Sequence, residues 1–75
     1  MENIFMLRLR EAREEQGITQ EYLAKALNTS QGNVARWESG KRHPTAHTVI
    51  AIVKILKVSS DYLLGLENED GTKNY

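Results

Sequence analysis

The sequence contains no cysteine. Disulfides, thiol catalysis and cysteine-based zinc sites are thereby excluded, and the composition fits a reducing compartment. No apolar run approaches the roughly 20 residues of a membrane-spanning helix. The segment after Met1 lacks the apolar core and cleavage site of a signal peptide and is followed by Arg8, Arg10 and Arg13, so a cytoplasmic location is expected. There is no glycine-rich phosphate loop and no internal repeat. Nothing assembles a catalytic group, and a 75-residue domain has little room for a substrate pocket. Neither enzyme activity nor a cofactor is expected. His43 and His47 stand four apart, but Pro44 lies between them and no third ligand is evident, so no metal site is expected. Net charge is also absent, ten Lys and Arg balancing ten Asp and Glu. Taken alone, that counts against a nucleic-acid partner.

What the sequence does hold is concentrated in residues 19–40. Two short helical patterns lie there back to back. The first covers residues 20–27, behind Thr19, whose hydroxyl can accept from the orphan N–H groups of a first turn. Leu23 and Leu27 share a face with Ala24. Asn28 and Thr29 then break the run with turn-favouring side chains. The second pattern covers residues 31–38, behind Ser30, and Gly40 supplies the left-handed position that commonly closes a helix. In this second helix only Val34 and Trp37 look inward, and Gln31, Gly32, Asn33, Ala35 and Arg36 are small or polar.

A helix so poor in apolar residues does not exist mainly to fill a core. Its outer face offers two amides and a guanidinium, groups that match base edges: an amide can be bidentate to adenine and arginine to guanine. On an isolated helix such residues are ordinary solvated surface. Two helices joined by a short turn and followed by a basic loop are, however, the parts of a helix-turn-helix. The charge distribution agrees. Lys25, Arg36, Lys41, Arg42, Lys54 and Lys57 fall within residues 25–57 against Glu38 alone, while acidic residues outnumber basic ones on both flanks. Phosphate contact requires a local patch, for which whole-chain charge is the poorer guide.

Three segments, LREAREEQGITQEYLAKAL, TSQGNVARWESGKRHPT and VIAIVKILKVSSDYLL, lie within residues 9–64. They resemble the Cro and phage-repressor type of helix-turn-helix domain, the XRE family. The resemblance implies an all-α, compact five-helix, lambda-repressor-like DNA-binding domain over residues 1–66, working as a dimer on a two-fold symmetric operator in double-stranded DNA. Gln31, Asn33 and Arg36 would face the major groove. Gly32 departs from the family, which commonly carries a side chain there; it removes a possible base reader but lets backbone and DNA approach closely. Gln20, Ser30, Lys41 and Arg42 would hold phosphates, the first two beside helix N-termini. The family often pairs an arginine and a glutamate beneath the DNA-binding helices, which here would be Arg13 and Glu38.

The remaining elements follow from period and punctuation. A first helix is expected over residues 4–16, capped by Asn3, with Phe5, Leu9 and Ala12 inward and Gly17 as its stop. Ile4, Met6 and Leu7 leave an apolar excess on it. A fourth helix over residues 46–57 follows Pro44 and the Thr45 cap, with Val49, Ile52, Val53 and Leu56 as its stripe. A fifth, over residues 60–64, lies between Ser59 and Gly65, anchored by Tyr62 and Leu63. Leu64 and Leu66 are left as a dimer surface, by analogy with the family. Residues 67–75, rich in Glu, Asn, Asp and Gly, read as a disordered acidic tail. The expected function is a sequence-specific transcriptional regulator, with a repressor as the leading reading. The alternatives are a restriction-modification controller or activator, and an antitoxin-like module whose target is a partner protein, since fold alone does not decide function.

Overall fold

The structure, a computed structural model, describes residues 3–75. It contains five helices: α1 (Ile4–Glu15), α2 (Gln20–Ala26), α3 (Gln31–Glu38), α4 (Ala46–Leu56) and α5 (Ser60–Leu64). The expected ends of α1, α2 and α4 each lie one residue further on, at the C-cap residues Gln16, Leu27 and Lys57, whose N–H groups still bond the carbonyl four residues back.

Each helix begins the same way. The side chains of Asn3, Thr19, Ser30, Thr45 and Ser59 accept from the backbone N–H three residues on, namely Met6, Tyr22, Asn33, Thr48 and Tyr62. One such cap is worth about 1 kcal/mol, which matters for helices of 5 to 12 residues that would be marginal in isolation. The ends are equally regular. A left-handed residue follows each helix, and the next N–H reaches back to a carbonyl five residues earlier: Ile18 to Arg13, Thr29 to Ala24, Lys41 to Arg36, Val58 to Val53 and Leu66 to Asp61. Two of the five closures use non-glycine residues, Asn28 and Lys57.

The core gathers Phe5, Leu9 and Ala12 of α1, Leu23 and Ala24 of α2, Val34 and Trp37 of α3, Val49, Ile52 and Leu56 of α4, and Leu63 of α5. Val53 and Tyr62 pack against its edge. Helix α1 lies against both α3 and α5, α2 against α3, and α4 against α5. Two glycines permit the approach of α1: a Cβ at Gly40 would stand 2.8 Å from Met6 Sδ, and one at Gly65 2.5 Å from Ile4 Cγ2. The first turn of α1 is therefore seated against the ends of α3 and α5, which accounts for part of the apolar excess there.

Two features differ from expectation. Residues 67–75, read in the sequence as a disordered acidic tail, fold back as a small hairpin. Asn68 donates to the Thr72 carbonyl and Asn74 to that of Leu66, with Glu67 and Lys73 opposed. Lys73 Nζ lies 3.1 Å from Asp61 and 2.7 Å from Glu67, and Tyr75 donates to Asp61. A composition poor in apolar residues argues against core burial, not against a polar clasp of this kind. The second feature is Arg8, which is only 8% exposed. Its Nη1 donates to the carbonyls of Tyr62 and Glu67, and its guanidinium carbon sits 4.2 Å from the Tyr62 ring centroid. It is the pin between α1, α5 and the hairpin, a role the sequence does not signal.

Candidate nucleic-acid interface

Helices α2 and α3 are joined by four residues, 27–30, and α3 turns Val34 and Trp37 into the core. The helical period then leaves Gln31, Gly32 and Arg36 exposed on the opposite face, with Asn33 and Ala35 half-buried. Ser30 caps the exposed N-terminus of α3; its Oγ accepts from the Asn33 N–H and retains a hydroxyl proton to donate. Lys41 and Arg42 follow directly on the α3–α4 loop and are exposed. Their backbone N–H groups both close on the Arg36 carbonyl, which ties the loop to the end of α3. Neither side chain makes an ion pair or hydrogen bond among the described residues. Between this loop and the α2–α3 turn lies a groove of about 310 Å³ with Thr29, Asn33, Trp37 and Arg42 on its walls. His43 also lines it, with its ring packed edge-on against Phe5 at 6.1 Å.

The polar residues of α3 are not free rotors. Asn33 Nδ2 donates to Thr29 Oγ1 at 2.8 Å, and its Oδ1 accepts from Arg36 Nη1 at 3.1 Å. Arg36 thus lies back along α3, across Gly32. A Cβ at Gly32 would stand 3.4 Å from Arg36 Nη1. That is ordinary van der Waals contact, so the position of Arg36 does not require a glycine there.

Beneath this face, Arg13 of α1 meets Glu38 of α3 in a bidentate pair, Nε to Oε2 at 2.7 Å and Nη2 to Oε1 at 3.1 Å. The side chains are 12% and 4% exposed. Arg13 Nη1 also donates to the Ile18 carbonyl. The hydrogen bond to Glu38 raises the Arg13 pKa above its ordinary value, outweighing the opposing effect of burial. Glu38 Oε1 accepts a further bond from Gln20 Nε2 at 3.1 Å, and Gln20 Oε1 accepts from Gln31 Nε2 at 3.3 Å. The four side chains form one chain of hydrogen bonds from α1 to the outer face of α3. Sequence reasoning placed Gln20 outward alone; its inward amide was missed, because nothing near Gln20 in the sequence signals a carboxylate 18 residues on.

The chain matches the profile of the family described as Helix-turn-helix over residues 9–63. It belongs to the XRE-type helix-turn-helix family. Among curated relatives, the HTH-type transcriptional regulator ImmR of Bacillus subtilis (strain 168) is 39% identical over 67 residues, which are 89% of this chain and 52% of ImmR. The chain thus spans about half the length of that relative. Among solved structures, the P22 c2 repressor in complex with synthetic operator 9T is similar with a TM-score of 0.78 at 30% identity, covering 84% of this chain and 96% of the repressor chain. The restriction-modification controller protein C.AhdI from Aeromonas hydrophila is similar with a TM-score of 0.73 at 29% identity, covering 79% of this chain and 89% of the controller. The five-helix, lambda-repressor-like fold is therefore that of a helix-turn-helix DNA-binding domain.

Proposed function

We propose that the protein is a sequence-specific regulator of transcription, most simply a repressor, that binds double-stranded DNA as a homodimer on a two-fold symmetric operator. The observation that carries this reading is the division of α3. Its two large apolar side chains are buried, while Gln31 and Arg36 stand exposed beside a basic loop that no described residue neutralises. In this reading α3 enters the major groove, with Gln31 and Arg36 at base edges and Asn33 joining them if its bonds to Thr29 and Arg36 open. Gln20, Ser30, Lys41 and Arg42 hold phosphates. The family membership and the likeness to an operator-bound repressor support it.

The dimer rests on a separate patch. Ile4, Ile50 and Leu64 are 44%, 53% and 50% exposed, and line two adjoining grooves of about 280 and 400 Å³ that share Pro44, Val49 and Leu64. Their walls carry no Asp, Glu, Lys or Arg, so a second copy can meet this face without like-charge repulsion. Leu64 is part of the patch, and Leu66, 40% exposed, lines neither groove. Ile4 and Ile50 accordingly replace Leu66 in the proposed interface.

The test is selection from a random duplex pool at two salt concentrations. A short inverted repeat that survives the higher salt is the expected result. Binding lost uniformly as salt rises would mean backbone attraction only and would overturn the reading. Point variants divide the roles. Arg36→Ala should relax preference at one base pair, costing about 1–3 kcal/mol, whereas Lys41→Ala should weaken all sequences alike and flatten the salt dependence.

A further inference from the structure

The outer face of α3 has no side chain at Gly32, and the charged end of Arg36 lies over that stretch of it. Residues four apart on a helix are neighbours on one face, and side chains lean toward the helix N-terminus. Arg36 follows that lean: a Cβ at Gly32 would stand 3.4 Å from its Nη1 and 3.8 Å from its Cζ. The guanidinium thus sits about one turn, roughly 5 Å, nearer the exposed start of α3 than its own Cα does. Among the described residues it makes no ion pair, and the one partner of its N–H groups is Asn33.

That bond is held from behind. A guanidinium only donates, so the Asn33 amide must turn its oxygen to Arg36, and Oδ1 accepts from Nη1 at 3.1 Å. The amide NH2 is then directed to the other side, where Nδ2 donates to Thr29 Oγ1 at 2.8 Å. The reversed amide would set donor against donor at Arg36, so the choice that amide groups ordinarily leave open is closed here. Thr29 is itself fixed, half-buried in the α2–α3 turn with its backbone N–H on the Ala24 carbonyl. Thr29, Asn33 and Arg36 therefore form a relay from that turn to the outer face of α3.

We infer that Thr29 and Asn33 are positioning residues that hold Arg36 over Gly32, where it selects guanine in place of the side chain that position 32 lacks. The inference rests on the reading of α3 as the base-contacting helix. It adds that Asn33 acts without touching a base, and that a threonine in the turn sets the strength of one base preference. One of the five guanidinium N–H groups is engaged by Asn33, and Nη2 with Nε remains as a free fork. Guanine presents two acceptors to such a fork, N7 and O6, whereas adenine sets its N6–H donor against one arm. Arginine otherwise loses much rotamer freedom on binding, and a side chain already held in place loses less. The gain appears only where the fork is used, so the relay favours guanine and leaves the other bases as they were.

The experiment uses the full chain and duplexes carrying its selected operator, with each of the four bases in turn at the position whose preference Arg36→Ala abolishes. Affinities are compared for the wild type, Asn33→Ala, Thr29→Val and Thr29→Ser. The wild type should prefer guanine there. Its guanine-over-adenine ratio should fall about three- to tenfold in Asn33→Ala and in Thr29→Val, the range for immobilising one long side chain. Thr29→Ser keeps the hydroxyl and should restore the ratio, while preferences at the other operator positions persist in every variant. Thr29→Val preserves the shape of the residue and decides the matter if Asn33→Ala does not fold. A loss of affinity equal for all four bases, with the ratio unchanged, would make the relay a purely structural contact and overturn the inference. So would a ratio that Thr29→Ser lowers as far as Thr29→Val, or a wild type that prefers another base at that position. Failure of the wild type to select any operator is a different outcome: it overturns the DNA-binding reading itself.

Discussion

Glu38 is a carboxylate that α3 buries beside Trp37, and it tolerates burial because three donors converge on it. Removing one partner of such a pair exposes the other to the full desolvation penalty. Arg13→Ala should therefore destabilise the fold by on the order of 3 kcal/mol, a drop in melting temperature of roughly 10–20 °C for a domain of this size. Urea unfolding followed by circular dichroism checks this, and an unchanged midpoint would show that the pair contributes nothing. Replacing both residues together, as in Arg13→Met with Glu38→Leu, should recover much of the loss, since a buried pair stabilises little relative to well-packed apolar side chains. In the double variant the Gln20 amide has lost the carboxylate it bonds, so the recovery should be incomplete.

At the scale of the element, α3 carries a glycine near its start that weakens it. A Cβ at Gly32 would meet Arg36 Nη1 at 3.4 Å, at the near edge of ordinary contact with the mobile end of a long side chain. Gly32→Ala should thus raise stability by about 0.5–1 kcal/mol through helix propensity, measured by the same unfolding assay. Gly65→Ala should do the reverse, because its φ is +83° and its Cβ would strike Ile4 Cγ2. The hairpin after α5 has its own control. Lys73 lowers the pKa of Asp61 and of Glu67 through hydrogen bonds, with Tyr75 adding to the effect on Asp61 and Ser59 to that on Glu67. Because these folded-state values lie below the unfolded ones, the stabilisation is complete above the ordinary carboxylate range and disappears as pH falls through the lowered values. Acidification should open the hairpin before the helices melt. Amide exchange at Asn74, whose N–H bonds the Leu66 carbonyl, reports it directly. The groups are exposed, so added salt should loosen the hairpin in the same way.

At the scale of the whole molecule, one recognition helix covers few base pairs, and useful specificity requires two half-sites about one helical turn apart. The uncharged patch around Ile50 and Leu64 is where two copies are proposed to meet. Leu64→Glu should leave the monomer's circular dichroism and melting temperature close to wild type, since half of that residue is already solvated. It should nonetheless weaken operator binding at least tenfold, about 1.4 kcal/mol in coupling between sites, while binding to an isolated half-site is unchanged. Sedimentation of the protein–operator complex distinguishes one bound copy from two. Equal loss on half-site and full operator would place Leu64 outside any dimer contact.

The sequence by itself determined the five helices, because caps, left-handed stops and apolar stripes act between residues within four or five positions of each other. Asn3, Thr19, Ser30, Thr45 and Ser59 each read as a start, and each caps one. It also marked α3 as the surface helix, since so few apolar residues leave little for a core to hold. What only the tertiary structure decided are the polar contacts over long separations. Arg8 bonds a carbonyl 59 residues away, and Gln20 a carboxylate 18 away. A charged or amide side chain looks the same in sequence whether solvated or engaged. Its partner is chosen by the packing of helices, a global property of the chain. The hairpin of residues 67–75 belongs to the same class, held by Lys73 between two carboxylates that no local pattern brings together.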